Sequence, residues 1–144
     1  NGVLLRKDDK GGWSHPAFVS AASASYGLQA GIKSYKVMMI VMHESVLDQI
    51  LKGGLEFGGH ISAAAGSEGL DFEGLSTTNA FADVYYYSIT DKGLFGGMSL
   101  EGTGIKSNDK LNNGYYGKGA STDAILNQHK LENSGAEALL QALQ

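Results

Sequence analysis

A chain of 144 residues, 42% of them apolar, is long enough to bury a core without covalent or metal staples, and the absence of cysteine excludes disulfides, thiolate metal sites and a cysteine nucleophile. A net charge of −4 argues against a nucleic-acid surface, which needs a basic footprint. No apolar run approaches the ~18 residues of a membrane span, the longest being residues 37–42.

Residues 2–7 alternate weakly and run into Asp8-Asp9-Lys10-Gly11-Gly12, which predicts a short strand closed by a turn. Trp13 follows beside Pro16 and suits a core or rim anchor. Residues 17–26 are small apart from Phe18, Val19 and Tyr26, as in a strand crossed closely by another layer, and Gly27 and Gly31 predict a bend in its continuation. Residues 33–42 open on Lys33-Ser34-Tyr35-Lys36 and end in six apolar residues, the clearest buried strand. Over residues 44–52 the apolar side chains Val46, Leu47, Ile50 and Leu51 share one helical face, and Gly53-Gly54 stops the helix.

Residues 55–65 resume a small-residue strand, and residues 66–79 predict a loop or a loose hairpin. Residues 83–104 predict a β-hairpin around a three-residue turn at Asp91, Lys92 and Gly93, with Gly93 in the left-handed position. Thr90 facing Leu94 would lay Tyr87 over Gly97 and Tyr85 over Ser99, aromatic rings covering a glycine gap. The same register opposes Asp83 to Glu101, so the ladder is expected to end before that pair. Residues 105–119 predict an edge region with a turn at Asn113-Gly114. Ser121 or Thr122 can cap a short helix through Leu126. Ser134 and Glu137 have capping-box spacing before a last helix, whose stripe of Ala136, Leu139, Leu140 and Leu143 should cover a sheet face. Many strands, a mid-chain helix and C-terminal helices predict an α+β fold, mainly antiparallel, with a strongly bent or barrel-like sheet of Gly/Ala-rich strands.

The side chains announce no reaction. His43-Glu44 begins like a zincin helix, but Leu47 stands where the second histidine belongs. Gly117-Lys118 lacks the rest of a phosphate loop, and Ser99 misses the nucleophile-elbow spacing. Glu101, Asp83 and Asp109 lack the ligand spacing of a calcium loop. No catalytic residue, cofactor or metal is expected. Lysines at strand starts and turns, Lys33, Lys36, Lys92 and Lys118, either guard sheet edges or form a sparse site for anionic headgroups, with Trp13 and Tyr115 as exposed aromatic neighbours.

The segment Lys92-Gly93-Leu94-Phe95-Gly96-Gly97-Met98-Ser99-Leu100-Glu101-Gly102 resembles the K-G-L-F-A-G-x-S-L-E-G signature of the SYLF domain family. Gly11-Gly12-Trp13-Ser14, Gly27-Leu28-Gln29-Ala30-Gly31, Ala63-Ala64-Ala65-Gly66, Asn113-Gly114-Tyr115-Tyr116-Gly117 and Asp123-Ala124-Ile125-Leu126 agree with the family in order. Ser67-Glu68-Gly69-Leu70 departs from its usual Pro-x-Gly-Arg. The resemblance implies one non-enzymatic domain over residues 1–144 that lacks the family's basic N-terminal segment. It also implies binding of anionic lipid, phosphoinositide-like or phospholipid, at a membrane surface. The alternative is a protein-interaction or structural module of a bacterial cell envelope, with actin binding if the chain is eukaryotic. Many family members are exported bacterial proteins, so a periplasmic or envelope location with an envelope protein partner is the expectation; no nucleic acid is implied.

Overall fold

The computed structural model describes residues 1–23, 36–58, 60–66, 82–90, 93–95 and 100–144. It has two compact units, residues 1–21 with 105–144 and residues 22–104. Helices and mainly antiparallel strands bear out the α+β expectation. The described strands lie in two sheets rather than one.

In the first unit, β1 (Gly2–Leu4) pairs antiparallel with β2 (Ala17–Ser23), Val3 opposite Phe18. The predicted turn forms between them: Asp8 Oδ1 accepts from the Lys10 and Gly12 amides at 2.8 and 2.7 Å, and Lys7 bridges to Trp13. β8 (Thr103–Ser107) lies on the other side of β2. It leads into α2 (Asp109–Tyr116), where a turn had been expected at Asn113-Gly114.

Tertiary and capping bonds overrule that local signal. Asn108 Oδ1 caps the helix on the Leu111 amide at 3.0 Å. Asn113 stays helical because its Oδ1 accepts from the Gly119 and Ala120 amides at 2.6 and 3.1 Å, offsetting the ~1 kcal/mol that Gly114 costs inside a helix. Asn112 is fully buried, its Oδ1 accepting from the Phe18 amide at 2.7 Å while its Nδ2 donates to the Phe18 carbonyl and Thr122 Oγ1, each at 3.3 Å. α3 (Thr122–Leu126) is capped by Ser121 as expected and drives Ile125 and Leu126 into the core.

A 3-10 turn (Ser134–Ala136) precedes α4 (Glu137–Ala142). Asn133, not Ser134, supplies the cap, its Oδ1 accepting from the Gly135 amide at 2.9 Å. The expected apolar stripe covers no sheet face: α4 buries none of its side chains.

In the second unit, β3 (Lys36–Val41) pairs antiparallel with β6 (Val84–Thr90), which also takes β5 (Ala63–Ala65) in parallel and β7 (Gly93–Phe95) in antiparallel register. α1 (Glu44–Leu51) forms where predicted, burying Val46, Leu47 and Ile50, and ends at Gly53 and Gly54, both at positive φ. The small-residue segment is two strands, β4 (Leu55–Glu56) and β5, broken by a bridge between Gly58 and Ile61.

The hairpin exists, but Thr90 faces Gly93, so two residues close it and every cross-strand partner moves by one. The described ladder runs from Thr90 opposite Gly93 to Ser88 opposite Phe95, and the residues that would carry it toward Asp83 lie outside the described residues. Tyr87 does cover a glycine, but that glycine is Gly66. The bend expected at Gly27 and Gly31 and all but Gly66 of the segment expected at 66–79 lie outside the described residues, as do Lys92 and residues 96–99 of the signature segment.

Candidate functional site

Of the six candidate residues the structure describes four, and these fall in both units. Lys33 and Lys92 lie outside the described residues, Lys36 belongs to the second unit, and Lys118 is exposed in the first, beyond α2. Trp13 and Tyr115 are half-buried and also belong to the first unit.

Trp13 donates its Nε1–H to the Leu143 carbonyl at 3.0 Å, and Lys7 Nζ stands 5.7 Å from the ring centroid, within cation–π range. A cavity of about 480 Å³ is lined by Lys10, Gly11, Gly12, Trp13, Leu140 and Gln144. Tyr115 meets Phe18 and Tyr116 edge-on, at centroid distances of 5.3 and 4.8 Å. Its carbonyl accepts from Asn133 Nδ2 at 2.8 Å. Tyr116 is tied to the Pro16 carbonyl at 2.6 Å; burial, with Tyr115 adding to it, pushes its phenol up to about 12.

The second unit carries two further features. On one face of the β3–β6 pair the register sets Lys36 opposite Ile89, Met38 opposite Tyr87 and Ile40 opposite Tyr85. Met38 and Ile89 are 52% and 39% exposed. Elsewhere a cavity of about 490 Å³ is lined by Gln49, Glu56, Phe57, Gly58, His60, Ile61, Glu101 and Gly102. His60 and Glu101 thus share a cavity, while Ser99 lies outside the described residues. Among the described residues no three His, Asp or Glu side chains could hold a metal ion, and no helix is long and apolar enough to cross a membrane.

Asp83 is a structural acceptor. Its Oδ2 receives the Ser62 amide at 2.9 Å and the Ser62 hydroxyl at 3.0 Å, and His43 Nε2 lies 3.8 Å from Oδ1. The Ser62 amide bond above all holds the Asp83 carboxyl below the usual carboxylate range, the Ser62 hydroxyl and His43 assist, and desolvation opposes them. The fold therefore favours the charged form. This contribution is full above the ordinary carboxylate pKa of about 3.9 and is lost as pH falls through the lower folded value. Thermal unfolding followed between about pH 6 and about pH 2 should show a smaller acid loss in Asp83→Asn than in the parent. Equal acid losses would remove Asp83 from that role.

A scaffold offering an apolar sheet face and open cavities has the features of a binding domain. Residues 22–144 match the family described as Ysc84, Las17-binding protein actin regulator, and the chain belongs to this Ysc84 (SYLF) family. It is 34% identical over 119 residues to SH3 domain-containing YSC84-like protein 1 of Xenopus laevis, covering 82% of this chain and 35% of the relative. Protein YSC84 of Saccharomyces cerevisiae is 29% identical over 147 residues, covering 100% of this chain and 31% of its own length. LAS seventeen-binding protein 3 of the same yeast is 30% identical over 129 residues, 88% of this chain and 28% of the relative. The chain thus spans about a third of the length of these curated relatives.

The family resemblance is borne out, and the family is described by binding and regulation rather than by a reaction. The expected periplasmic or envelope location is not: the relatives are yeast and vertebrate proteins, which removes the ground for export and for an envelope partner.

Proposed function

We propose that this chain is a non-catalytic protein-binding domain that works with the actin machinery, with the face bearing Met38, Ile89, Tyr85 and Lys36 as its contact surface. The observation that carries the proposal is membership of a family described as Las17-binding actin regulators, over residues 22–144. The names of the yeast relatives point the same way. Exposed methionine beside tyrosines is a pairing enriched in protein-contact patches. Co-pelleting with actin filaments is expected for the parent, with at least a fivefold loss of affinity in Met38→Asp, a change of about 1 kcal/mol or more at the centre of an interface. An unchanged pellet for that variant sinks the surface; no pelleting by the parent sinks the actin reading.

One observation favours anionic lipid as a second ligand: Lys7 and Lys10 flank Trp13 on the N-terminal turn, a cation and aromatic pairing suited to a headgroup boundary. Lys118 and Tyr115, in the same unit, complete that candidate set. The −4 net charge and the neighbouring Asp8 and Asp9 oppose it. Sedimentation with anionic and with neutral vesicles separates the readings, since a protein-only domain binds neither.

A further inference from the structure

We infer that residues 133–144 form a strap that opens from the first unit as a piece and governs access to Trp13 and Tyr115. The amphipathic stripe of this segment is only partly used, with Leu140 half-buried. Ala136 is buried at 3% exposure, but α4 buries no side chain, and Leu139 and Leu143 stand 37% and 38% exposed. A segment docked by its apolar face would show the opposite pattern.

The attachments are polar instead. Trp13 Nε1–H reaches the Leu143 carbonyl at 3.0 Å, the Asn133 amide reaches His15 Nδ1 at 3.3 Å, and Asn133 Nδ2 reaches the Tyr115 carbonyl at 2.8 Å. A cavity of about 480 Å³ is lined by Leu140 and Gln144 on the segment and by Lys10 to Trp13 on the turn, so packing between the two is incomplete. The helix's own backbone bonds are local, ending with Leu143 to Leu140 at 3.3 Å and Gln144 to Gln141 at 3.4 Å. Opening therefore breaks no strand ladder. It contrasts with α2, which Asn112 pins to β2 from inside the core.

Trp13 and Tyr115, the two aromatic residues nominated as partner-facing, are the two whose groups the strap occupies at either end. Any partner using them competes with the strap. The inference does not depend on which partner that is.

Amide hydrogen exchange of the full chain reads the opening without a ligand. Residues 138–143 should exchange at least tenfold faster than residues 112–116. Trp13→Phe keeps the ring and removes the donor; it should speed strap exchange further while leaving residues 112–116 unchanged. In Asn133→Ala, acrylamide should quench the single tryptophan at least twofold more strongly than in the parent. Equal protection of strap and α2, or quenching unmoved in Asn133→Ala, would overturn the inference. A variant that loosens α2 together with the strap also overturns it, because the segment would then be unfolding with the core.

Discussion

Asn112→Ala should destabilise the first unit by about 3 kcal/mol, lowering its urea midpoint by roughly 1–2 M, more than any surface substitution on the same helix. Asn112 is fully buried, and its amide group satisfies both backbone groups of Phe18 and Thr122 Oγ1 at once. Alanine strands those partners. A buried backbone group left without a partner costs its desolvation, about 1–3 kcal/mol, where a normal bond contributes only about 1 kcal/mol. The damage also spreads, because Thr122 Oγ1 is shared with the Ser107 hydroxyl, so β8, α2 and α3 meet at one polar node.

Asn113→Ala, one residue along and less buried, removes bonds that lie within 4 to 7 residues and should cost about 1 kcal/mol. Fluorescence of Trp13, the only tryptophan and a resident of the same unit, reads both transitions. Equal midpoints for the two variants would show that the buried node does not hold the unit.

That contrast marks what the sequence could reveal. α1 was legible because its signal is local: four apolar residues on one face and a glycine pair that stops it. β3 was legible for a similar reason, an apolar run too short for a helix. Asn113-Gly114 misled because Asn-Gly is a turn signal only when nothing else claims the asparagines, and here Asn112 is claimed by Phe18, 94 residues away in sequence. The last helix misled in the same way. Its stripe predicted burial, but Trp13 meets it through a backbone carbonyl 130 residues distant, and no periodicity encodes that bond.

The candidate site was the least legible. Cations and aromatics chosen one at a time from turns and strand starts carry no information about which unit holds them, and those described fall in both. Family membership was legible because ordered glycine motifs along the chain constrain one another, which single side chains do not.

Local register assigned Tyr87 to Gly97, which lies outside the described residues, and the glycine that its ring is seen to meet, Gly66, yields the second large effect. Gly66→Ala should cost the second unit about 2–3 kcal/mol, as overpacking does when neither neighbour can retreat. A Cβ built on Gly66 falls 2.1 Å from Tyr87 Cζ and 2.3 Å from Cε1, inside any allowed contact. The backbone cannot easily yield, because the Gly66 amide donates to the Tyr86 carbonyl at 2.9 Å. The ring is held from the other side, since Tyr87 stands opposite Met38 in the β3–β6 ladder.

Tyr87→Phe separates the hydroxyl from the ring. Tyr87 Oη is buried with no hydrogen-bond partner, so removing it should be neutral or stabilise by up to about 1 kcal/mol. Gly66→Ala should cost as much in that background as in the parent, because the clashing ring carbons remain. Tyr87→Ala removes the ring, and Gly66→Ala should then cost less than about 1 kcal/mol, a coupling of at least 1 kcal/mol between the sites. If denaturant unfolding of the double variant gives strictly additive losses, the two residues do not touch in solution, and the packing of β6 over the end of β5 is wrong. Strong coupling would instead make the fit of Tyr87 onto Gly66 the steric reason that the Ala63-Ala64-Ala65 strand ends in glycine.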